Sequence, residues 1–513
     1  MLSELIILPP FLAAFFIGIG ILSGRINGEA SEQLTARITL YAAFISLAAV
    51  LIAIAIKLLG TLPEYVVLGT WFESGSYRIN ISFIFDDISL AMGATTIIFS
   101  VMVVRFSINY LHREIGYHRF FLVLSLFIGA MLLLVMAGSS ALAFAGWELA
   151  GVTSYLLIAY NYHQPVPVNN ATRAFITTRI GDIAFVIGIF FAFFWIGSIE
   201  WNDIASQVIE LPRWEARILA ACFLLAAIAK SAQVPLAPWL ARAIVGPTPS
   251  SAIFYGAVMV HAGVYLVLRL EPVFEHAPLA MGLMAFVGLL TAIYAFFCGL
   301  TQTDAKSALI FSTMAQVGLM FFEAGLGFWD LALWHLCAHA VFRGYQFLTV
   351  PSVMQQSQGM RPHSVPQFIA RQRWLYLASL QRLWLENLGD WIVVKPIQRL
   401  GSDLHYFDNQ VIDSAAGLPI PKASSAPMES AARKEYQADP EVIQVSGLGG
   451  RLIYALADLF YWFEDRLILR GIGEDIVRVG RHRLGSTLNR FEALLSEPRF
   501  LVALVIAALL AAL

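Results

Sequence analysis

The sequence has little charge for its length. Charged residues make up 13% of the 513 residues, against about 25% in a typical soluble protein. The 33 Lys and Arg and the 35 Asp and Glu cannot form the polar surface that a soluble chain of this size needs. The net charge is −2, so no excess of positive charge would attract nucleic acid. The composition excludes a soluble enzyme and predicts no nucleic-acid partner.

Cysteine is also scarce. Cys222, Cys298 and Cys337 each lie alone in apolar sequence. This arrangement excludes a disulfide scaffold and any zinc or iron–sulfur site of the CxxC type, and we interpret the three as small residues of an apolar core. The sequence also has no Rossmann fingerprint and no haem-binding pair. We therefore expect no cofactor, no metal and no self-contained catalytic residues.

Apolar residues are abundant instead, at 58% of the chain with a mean hydropathy of +0.71. About 20 apolar residues in a helix span a bilayer. Runs of that kind occupy residues 4–23, 38–59, 87–108, 117–137, 138–160, 172–197, 214–243, 250–270, 278–300, 306–325, 330–350 and 498–513. We predict an all-α polytopic membrane protein with about 12 transmembrane helices. Residues 70–87 alternate apolar and turn residues, which predicts a short hairpin or loop at the membrane surface.

The chain changes character after its eleventh apolar run. We predict an antiporter-like transmembrane domain over 1–351, for the reasons given below. Residues 352–450 form a polar linker region with a short amphipathic segment, since much of it is rich in Ala, Ser, Gly and Pro. Residues 451–497 carry apolar side chains mostly at helical spacing, which predicts an amphipathic helix lying along a membrane or other subunits. Residues 498–513 would be a C-terminal anchor.

Charges inside the apolar runs are the main functional signal. A charge at mid-membrane costs about 2.5–3.5 kcal/mol on insertion scales. Glu148 lies in mid-run, and Lys230 is followed by Pro235 and Pro238, which predict a helix break. Broken helices inside membranes line hydrated cavities. We therefore predict a proton relay in which Glu148 modulates the charge state of Lys230, the alternative being a structural ion pair.

Other charged residues leave two interpretations open. Arg179 and Asp182 are three apart, so they share a helix face as either an ion pair or a relay. His261 is a structural hydrogen-bonding group or a proton carrier, and Lys306 either snorkels from a helix end or joins the path.

One polar stripe is formed by His335, His339 and Arg343, spaced i, i+4, i+8 on an apolar helix. Imidazoles titrate near neutral pH and can pass protons on. Two histidines at this spacing could also hold zinc, but no third ligand accompanies them, so we predict no metal. A purely structural stripe between neighbouring helices is the alternative.

The stretch from His112 to Arg343 resembles a known family in several segments that occur in one order. They are YLHREIGYHRFF, GWELAGVTSYLLIAY, RAFITTRIGD, KSAQVPLAPWL, GPTPSSA, HAGVYLVLR, TQTDAKSALIFSTMAQVG and HLCAHAVFRGYQFL. The family is that of the proton-conducting antiporter-like subunits: complex I subunit L, the large subunits of multi-subunit Na+/H+ antiporters, and DabB-type subunits.

The resemblance implies a fold of two inverted five-helix repeats, each with a broken helix. It places the residues matching Glu148 and Lys230 in one half-channel. It places those matching Lys306, His335 and His339 on a central hydrated axis.

The sequence also departs from the family. Tyr255 lies where the family has a histidine after the GPTP segment, and Arg343 lies where it has a lysine. A guanidinium cannot usefully deprotonate. No second broken helix follows residue 351, so the second repeat reads as truncated and its half-channel as missing. We expect a conducting path built from the first repeat and part of the axis, or completed by a partner subunit.

The truncation and the length favour a DabB-like subunit that conducts protons or another cation. By resemblance it would energise uptake of CO2 or bicarbonate with a DabA-type soluble zinc protein. The first alternative is a proton-pumping, subunit L-like member of NADH:quinone oxidoreductase, with complex I membrane subunits as partners. The second is a membrane scaffold of such a complex that has lost conduction. In each case we expect an integral protein of the bacterial inner membrane.

Overall fold

The computed structural model describes residues 2–74, 77–356 and 365–407. Apolar helices dominate, and the first six are α1 (Leu2–Leu22), α2 (Glu32–Leu58), α3 (Asp87–Tyr110), α4 (Tyr117–Met136), α5 (Ser140–Ile158) and α6 (Pro165–Ile196). Caps set several of the boundaries. The side chain of Asp86 accepts from the Ser89 N–H at the start of α3, and Ser139 does the same for Leu142 at the start of α5.

A two-stranded antiparallel hairpin connects α2 to α3. Its strands are β1 (Tyr65–Ser74) and β2 (Tyr77–Ile84), with Tyr65 opposite Ile84. The predicted hairpin is therefore present, although it begins five residues before the predicted start. Glu200 holds it to the start of α5, since its carboxylate accepts from Ser82 Oγ at 2.6 Å and from Tyr65 Oη.

The predicted helix break is confirmed. After the short α7 (Trp201–Gln207), α8 runs from Arg213 to Lys230, and the helix resumes only at α9 (Pro238–Arg242). Pro235 has no N–H to continue the ladder, and Pro238 occupies the first turn of α9, where the missing N–H costs nothing.

The next span is interrupted as well. It comprises α10 (Thr248–Ser251), a π-helical turn (Ala252–Ala257), a 3-10 turn (Met259–His261) and α11 (Ala262–Arg269). A Cβ placed on Gly256 would lie 3.0 Å from the Cα of Gly344. The two backbones can approach this closely because Gly256 has no side chain, whereas a Cβ on Gly344 would meet the ring of Phe99. Every residue from Thr248 to Arg269 is buried.

Three long helices complete the buried core. The short α12 (Glu271–Glu275) leads to α13 (Pro278–Gly299), α14 (Ala305–Gly325) and α15 (Trp329–Gln356). Gly288 of α13 faces Gly318 of α14, and a Cβ on Gly288 would lie 2.5 Å from the Gly318 carbonyl oxygen. The turn after α14 has Gly327 at φ 85°, a backbone region that favours glycine.

Short helices follow the eleventh predicted span. They are α16 (Gln367–Ala370), α17 (Arg373–Leu380) and α18 (Leu385–Gly389), followed by a π-helical turn (Asp390–Val394). These residues belong to the same compact unit as the spans, which extends to Val394. In a second unit the structure describes α19 (Lys395–Phe407). Of the predicted linker region at 352–450, residues 357–364 and 408–450 lie outside the described residues, as do the predicted lateral helix and C-terminal anchor.

Within the described residues, nine helical segments are long and apolar enough to cross a membrane. The helices α8 and α15 occupy two further predicted spans but are more polar. Arg213, Glu215, Arg217 and Lys230 fall within the 18 residues of α8. The prediction of an all-α polytopic membrane protein is confirmed, with the hairpin as an addition.

Candidate ion-translocation site

One charged cluster lies between α5 and α6. The Arg179 guanidinium donates from Nη1 to the Glu148 carboxylate, and its Nη2 lies 2.8 Å from Asp182 Oδ2. Trp147 Nε1 donates to the other Asp182 oxygen at 2.7 Å. Arg179 thus lies between two carboxylates, which lowers the cost of burying three charges together.

Lys230 adds a second cation to this cluster. It is the last residue of α8, and only 1% of it is exposed. Its Nζ donates to the Trp147 carbonyl oxygen at 2.9 Å and lies 4.8 Å from the centre of the Trp147 ring. Glu148 and Asp182 are close enough to interact electrostatically with it. Glu148 makes its hydrogen bond to Arg179, so the predicted influence of Glu148 on Lys230 would be electrostatic.

A narrow cleft lined mostly by residues of α5 and α6 reaches Lys230. Gly151 leaves this space open beside the two cations. A Cβ there would lie 3.2 Å from Arg179 Nη2 and 3.5 Å from Lys230 Nζ. The cleft is lined in part by three residues with hydroxyl groups, Ser154, Tyr155 and Thr178. The cleft has room for about one water beside the ammonium group.

Hydrogen bonds between neighbouring elements satisfy backbone groups at both helix interruptions. Ser231 Oγ donates to the Val260 carbonyl oxygen at 2.6 Å, and the Val234 N–H donates to Thr291 Oγ1 at 2.9 Å. A backbone N–H or C=O group without a hydrogen bond costs several kcal/mol inside a membrane. These bonds therefore allow the helix to be interrupted at that depth. They also place the residue after Lys230 against the residue before His261.

A histidine pair forms the second cluster. His261 Nε2 lies 3.0 Å from His339 Nδ1, and both side chains are buried. Arg343 donates from Nε to His339 Nε2 at 3.4 Å, so in neutral His339 the Nδ1–H donates to His261. Arg343 also donates from Nη2 to Ser312 Oγ at 2.6 Å and from Nη1 to Gln346 Oε1 at 2.8 Å.

His335 lies one turn before His339 and has different partners. Its Nδ1 is 3.0 Å from both oxygens of Glu323, and its Nε2 is 2.9 Å from Gln316 Oε1. The rings of His335 and His339 have centroids 6.2 Å apart. Within the described residues, no group of three His, Cys, Asp or Glu side chains is placed to hold a metal ion.

Lys306 lies apart from this stripe. Its Nζ donates to the carbonyl oxygens of Gly246 and Ile244 at 3.1 and 3.3 Å, just after the broken helix. It is therefore hydrogen-bonded to the first broken helix rather than to the histidines. Tyr255 donates its hydroxyl to the Ala243 carbonyl oxygen at 3.1 Å.

Sequence reasoning missed several residues of the site. Gln316 and Glu323 were not predicted, although they share one face of α14 with Ser312, and that face contacts His335 and Arg343 of α15. The spacing of Ser312, Gln316 and Glu323, at i, i+4 and i+11, places three polar residues on one helix face and could have indicated them. Asp390 was missed as well, and it pairs with Arg173 beside the helix break.

Comparison with known proteins identifies the family of the chain. Residues 137–366 match the family model described as NADH:quinone oxidoreductase/Mrp antiporter, TM, and residues 71–121 match complex I chain 5 N-terminus. The chain is 38% identical to Pseudomonas aeruginosa NADH-quinone oxidoreductase subunit L over 56% of its own length and 47% of the relative. It is 36% identical to the chloroplastic NAD(P)H-quinone oxidoreductase subunit 5 of Nephroselmis olivacea, over 69% of this chain and 55% of that one.

Two solved structures share the fold. A chain of the Mrp complex from Dietzia sp. DQ12-45-1b superposes with a TM-score of 0.59 at 25% identity, covering 69% of this chain and 38% of that one. A chain of an archaeal membrane-bound sulfane sulfur reductase gives 0.60 at 18% identity, covering 68% and 71%. The chain spans about half the length of the curated relatives named above. It belongs to the family of antiporter-like membrane subunits that includes subunit L of complex I and the Mrp antiporter subunits.

Proposed function

We propose that the chain conducts protons as an antiporter-like subunit of a larger membrane complex. The observation that carries this proposal is Lys230, a fully buried ammonium at a helix break, next to the Glu148–Arg179–Asp182 cluster. An intramembrane charge is costly and marks an ion pathway in transport proteins. The cleft reaches Lys230. The next residue, Ser231, is hydrogen-bonded to Val260, which directly precedes His261 of the histidine pair.

The site suits a proton better than Na+. A bound Na+ needs oxygen ligands and an excess of negative charge near it. Both carboxylates of the cluster already contact Arg179, and Lys230 brings a second positive charge. A further cation would be repelled by two charges at short range, whereas protons can move by exchange on groups already present.

For the partner complex we propose the subunit L-like role. The relatives named above are quinone oxidoreductase subunits, and a chain of the Mrp complex shares the fold. None of these relatives is described as acting on inorganic carbon. The DabB-like role with a DabA-type partner therefore has less support than the quinone oxidoreductase alternative. The chain is an integral membrane protein. Its relatives include bacterial and chloroplastic proteins, and a bacterial inner membrane is the location we propose.

A second candidate is a scaffold that has lost conduction. Arg343 favours it, because its guanidinium is tied to Ser312 and Gln346 and holds two helices together. Both candidates predict assembly of the complex, but they differ in what happens when a charge in the path is removed.

The deciding experiment uses the assembled complex in proteoliposomes. A potassium diffusion potential drives proton uptake, which an entrapped pH dye reports. Conduction predicts that Lys230→Ala and Glu148→Gln abolish uptake in complexes that still assemble. The matched control is Lys57→Ala, since Lys57 bonds to the Phe85 carbonyl oxygen at 3.0 Å near the hairpin, away from the path. Wild-type uptake in both path variants would establish the scaffold instead.

A further inference from the structure

The carboxylate of Glu323 has no role in the path as the sequence predicts it. It lies in the last turn of α14, which ends at Gly325, and it is 18% exposed. Both of its oxygens lie 3.0 Å from His335 Nδ1. A carboxylate at the end of a span, held against an imidazole that leads inward, is placed to exchange protons with the surface.

Glu323 and Lys306 lie at opposite ends of the same helix. They are separated by 17 residues, which is roughly 25 Å at a rise of about 1.5 Å per residue. That length approaches the hydrocarbon thickness of a bilayer, about 30 Å. Lys306 lies at the end of α14 that is hydrogen-bonded to the segment after the broken helix. Glu323, at the opposite end of this span, therefore belongs to the other membrane surface.

Titratable groups connect the interior to Glu323. His261 is hydrogen-bonded to His339, and His335 lies one turn further along α15. The exposure of this series rises from 0% at His261 to 7% at His339, with 20% of the His335 side chain exposed. The step between His339 and His335 exceeds hydrogen-bonding distance, so it requires one bridging water or a ring rotation. The other steps are direct contacts.

We propose that Glu323 is the terminal proton-exchange group of this path at its second membrane surface, with His335 as its proton partner. The proposal rests on the proposed proton-conducting function. It makes a second broken helix unnecessary, because the whole series lies on α14, α15 and the turn before α11.

The exchange step follows from the hydrogen bonds. With Gln316 Oε1 accepting from Nε2, the remaining nitrogen of His335 faces the carboxylate. In one state His335 is an imidazolium and Glu323 a carboxylate. Transfer of the Nδ1 proton to an Oε of Glu323 gives a neutral imidazole and a carboxylic acid, and loss of that proton to water restores the carboxylate. No other atom changes its bonding.

The test uses the same proteoliposomes with three variants. Glu323→Gln keeps the shape and removes the exchangeable proton, so uptake should be lost while assembly is retained. Glu323→Asp keeps the acid on a shorter side chain and should restore part of the uptake. The matched control is Glu275→Gln, because Glu275 accepts from Trp329 Nε1 at 3.3 Å and lies outside the series. It should conduct as the wild type does.

A spectroscopic readout separates proton exchange from a structural role. Infrared difference spectra of the energised complex should contain a protonated-carboxyl band that disappears in Glu323→Gln and shifts in Glu323→Asp. Wild-type uptake in Glu323→Gln, or a carboxyl band unchanged in both variants, overturns the proposal. If Lys230→Ala abolishes uptake while Glu323→Gln does not, only the role of Glu323 fails. If both variants conduct, proton conduction itself fails. If Glu323→Gln does not assemble, the carboxyl band of Glu323→Asp is the test: a shifted band supports the proposal and an unchanged band overturns it.

Discussion

The ammonium group of Lys230 is bound by a backbone carbonyl oxygen, that of Trp147, at 2.9 Å. Glu148, which follows Trp147 in the sequence, accepts a hydrogen bond from Arg179 instead. A neutral acceptor stabilises an ammonium less than a contacting carboxylate does. Lys230 is therefore held without being locked into an ion pair, and its proton can leave without first breaking one.

Trp147 links both halves of the cluster, so its indole N–H can be tested separately from its ring. Trp147→Phe keeps an aromatic ring beside Lys230 and removes the donor to Asp182. Loss of one hydrogen bond to a buried carboxylate costs about 1–3 kcal/mol. We expect a lower unfolding temperature for the solubilised complex and slower proton uptake. A variant as stable as the wild type would show that this bond contributes nothing.

Gly151 is expected to control access to Lys230. Gly151→Val places a branched side chain where even a Cβ would lie 3.2 Å from Arg179 Nη2. The cleft should close and proton uptake should stop, with assembly intact. Gly282→Val is the control, because a Cβ on Gly282 meets no atom within 4 Å. Equal uptake in the two variants would rule out the cleft as the access route.

The ion pair between Arg173 and Asp390 joins α6 to the π-helical turn that follows α18. Both side chains are about four-fifths buried. Arg173→Ala and Asp390→Ala should each destabilise the protein, and the double variant should do so by less than their sum. We expect a coupling free energy of about 0.5–3 kcal/mol in a double-mutant cycle. Additive effects in thermal unfolding would show that the two residues are energetically independent.

Glu386 should make this region sensitive to acid. Burial alone would raise the pKa of its carboxyl, but Arg242 and Arg382 outweigh burial and hold that pKa below its usual value. Because the pKa is lower in the folded state, the stabilisation is present above the unfolded value, about 4.3, and is lost as the pH falls through the folded value. The difference in unfolding temperature between wild type and Glu386→Gln should be constant near pH 7 and close on acidification. A pH-independent difference would contradict this.

Long apolar runs were enough to predict the helices, because membrane spans need them and little else produces them. The break after Lys230 was equally readable, since proline prevents helix continuation locally. The hydrogen bond between His261 and His339 was not readable. It joins residues 78 positions apart and depends on how two helices cross, which no local pattern encodes. Asp390 was missed for the same reason, because Arg173 lies 217 residues away. Glu386 has one distant partner, Arg242, 144 residues away, but its other partner, Arg382, is only four residues before it.

The close approach of Gly256 to Gly344 sets how near the second interrupted span lies to α15. A Cβ on Gly256 would lie 3.0 Å from the Gly344 Cα and 2.9 Å from Phe347 Cδ2, so a side chain there would push the two elements apart. His261 and His339 lie on these same two elements, with Nε2 and Nδ1 3.0 Å apart. His339 is five residues from Gly344, roughly 7.5 Å along α15 at about 1.5 Å per residue. The hydrogen bond between the two imidazoles therefore depends on a nearby position where no side chain can be placed.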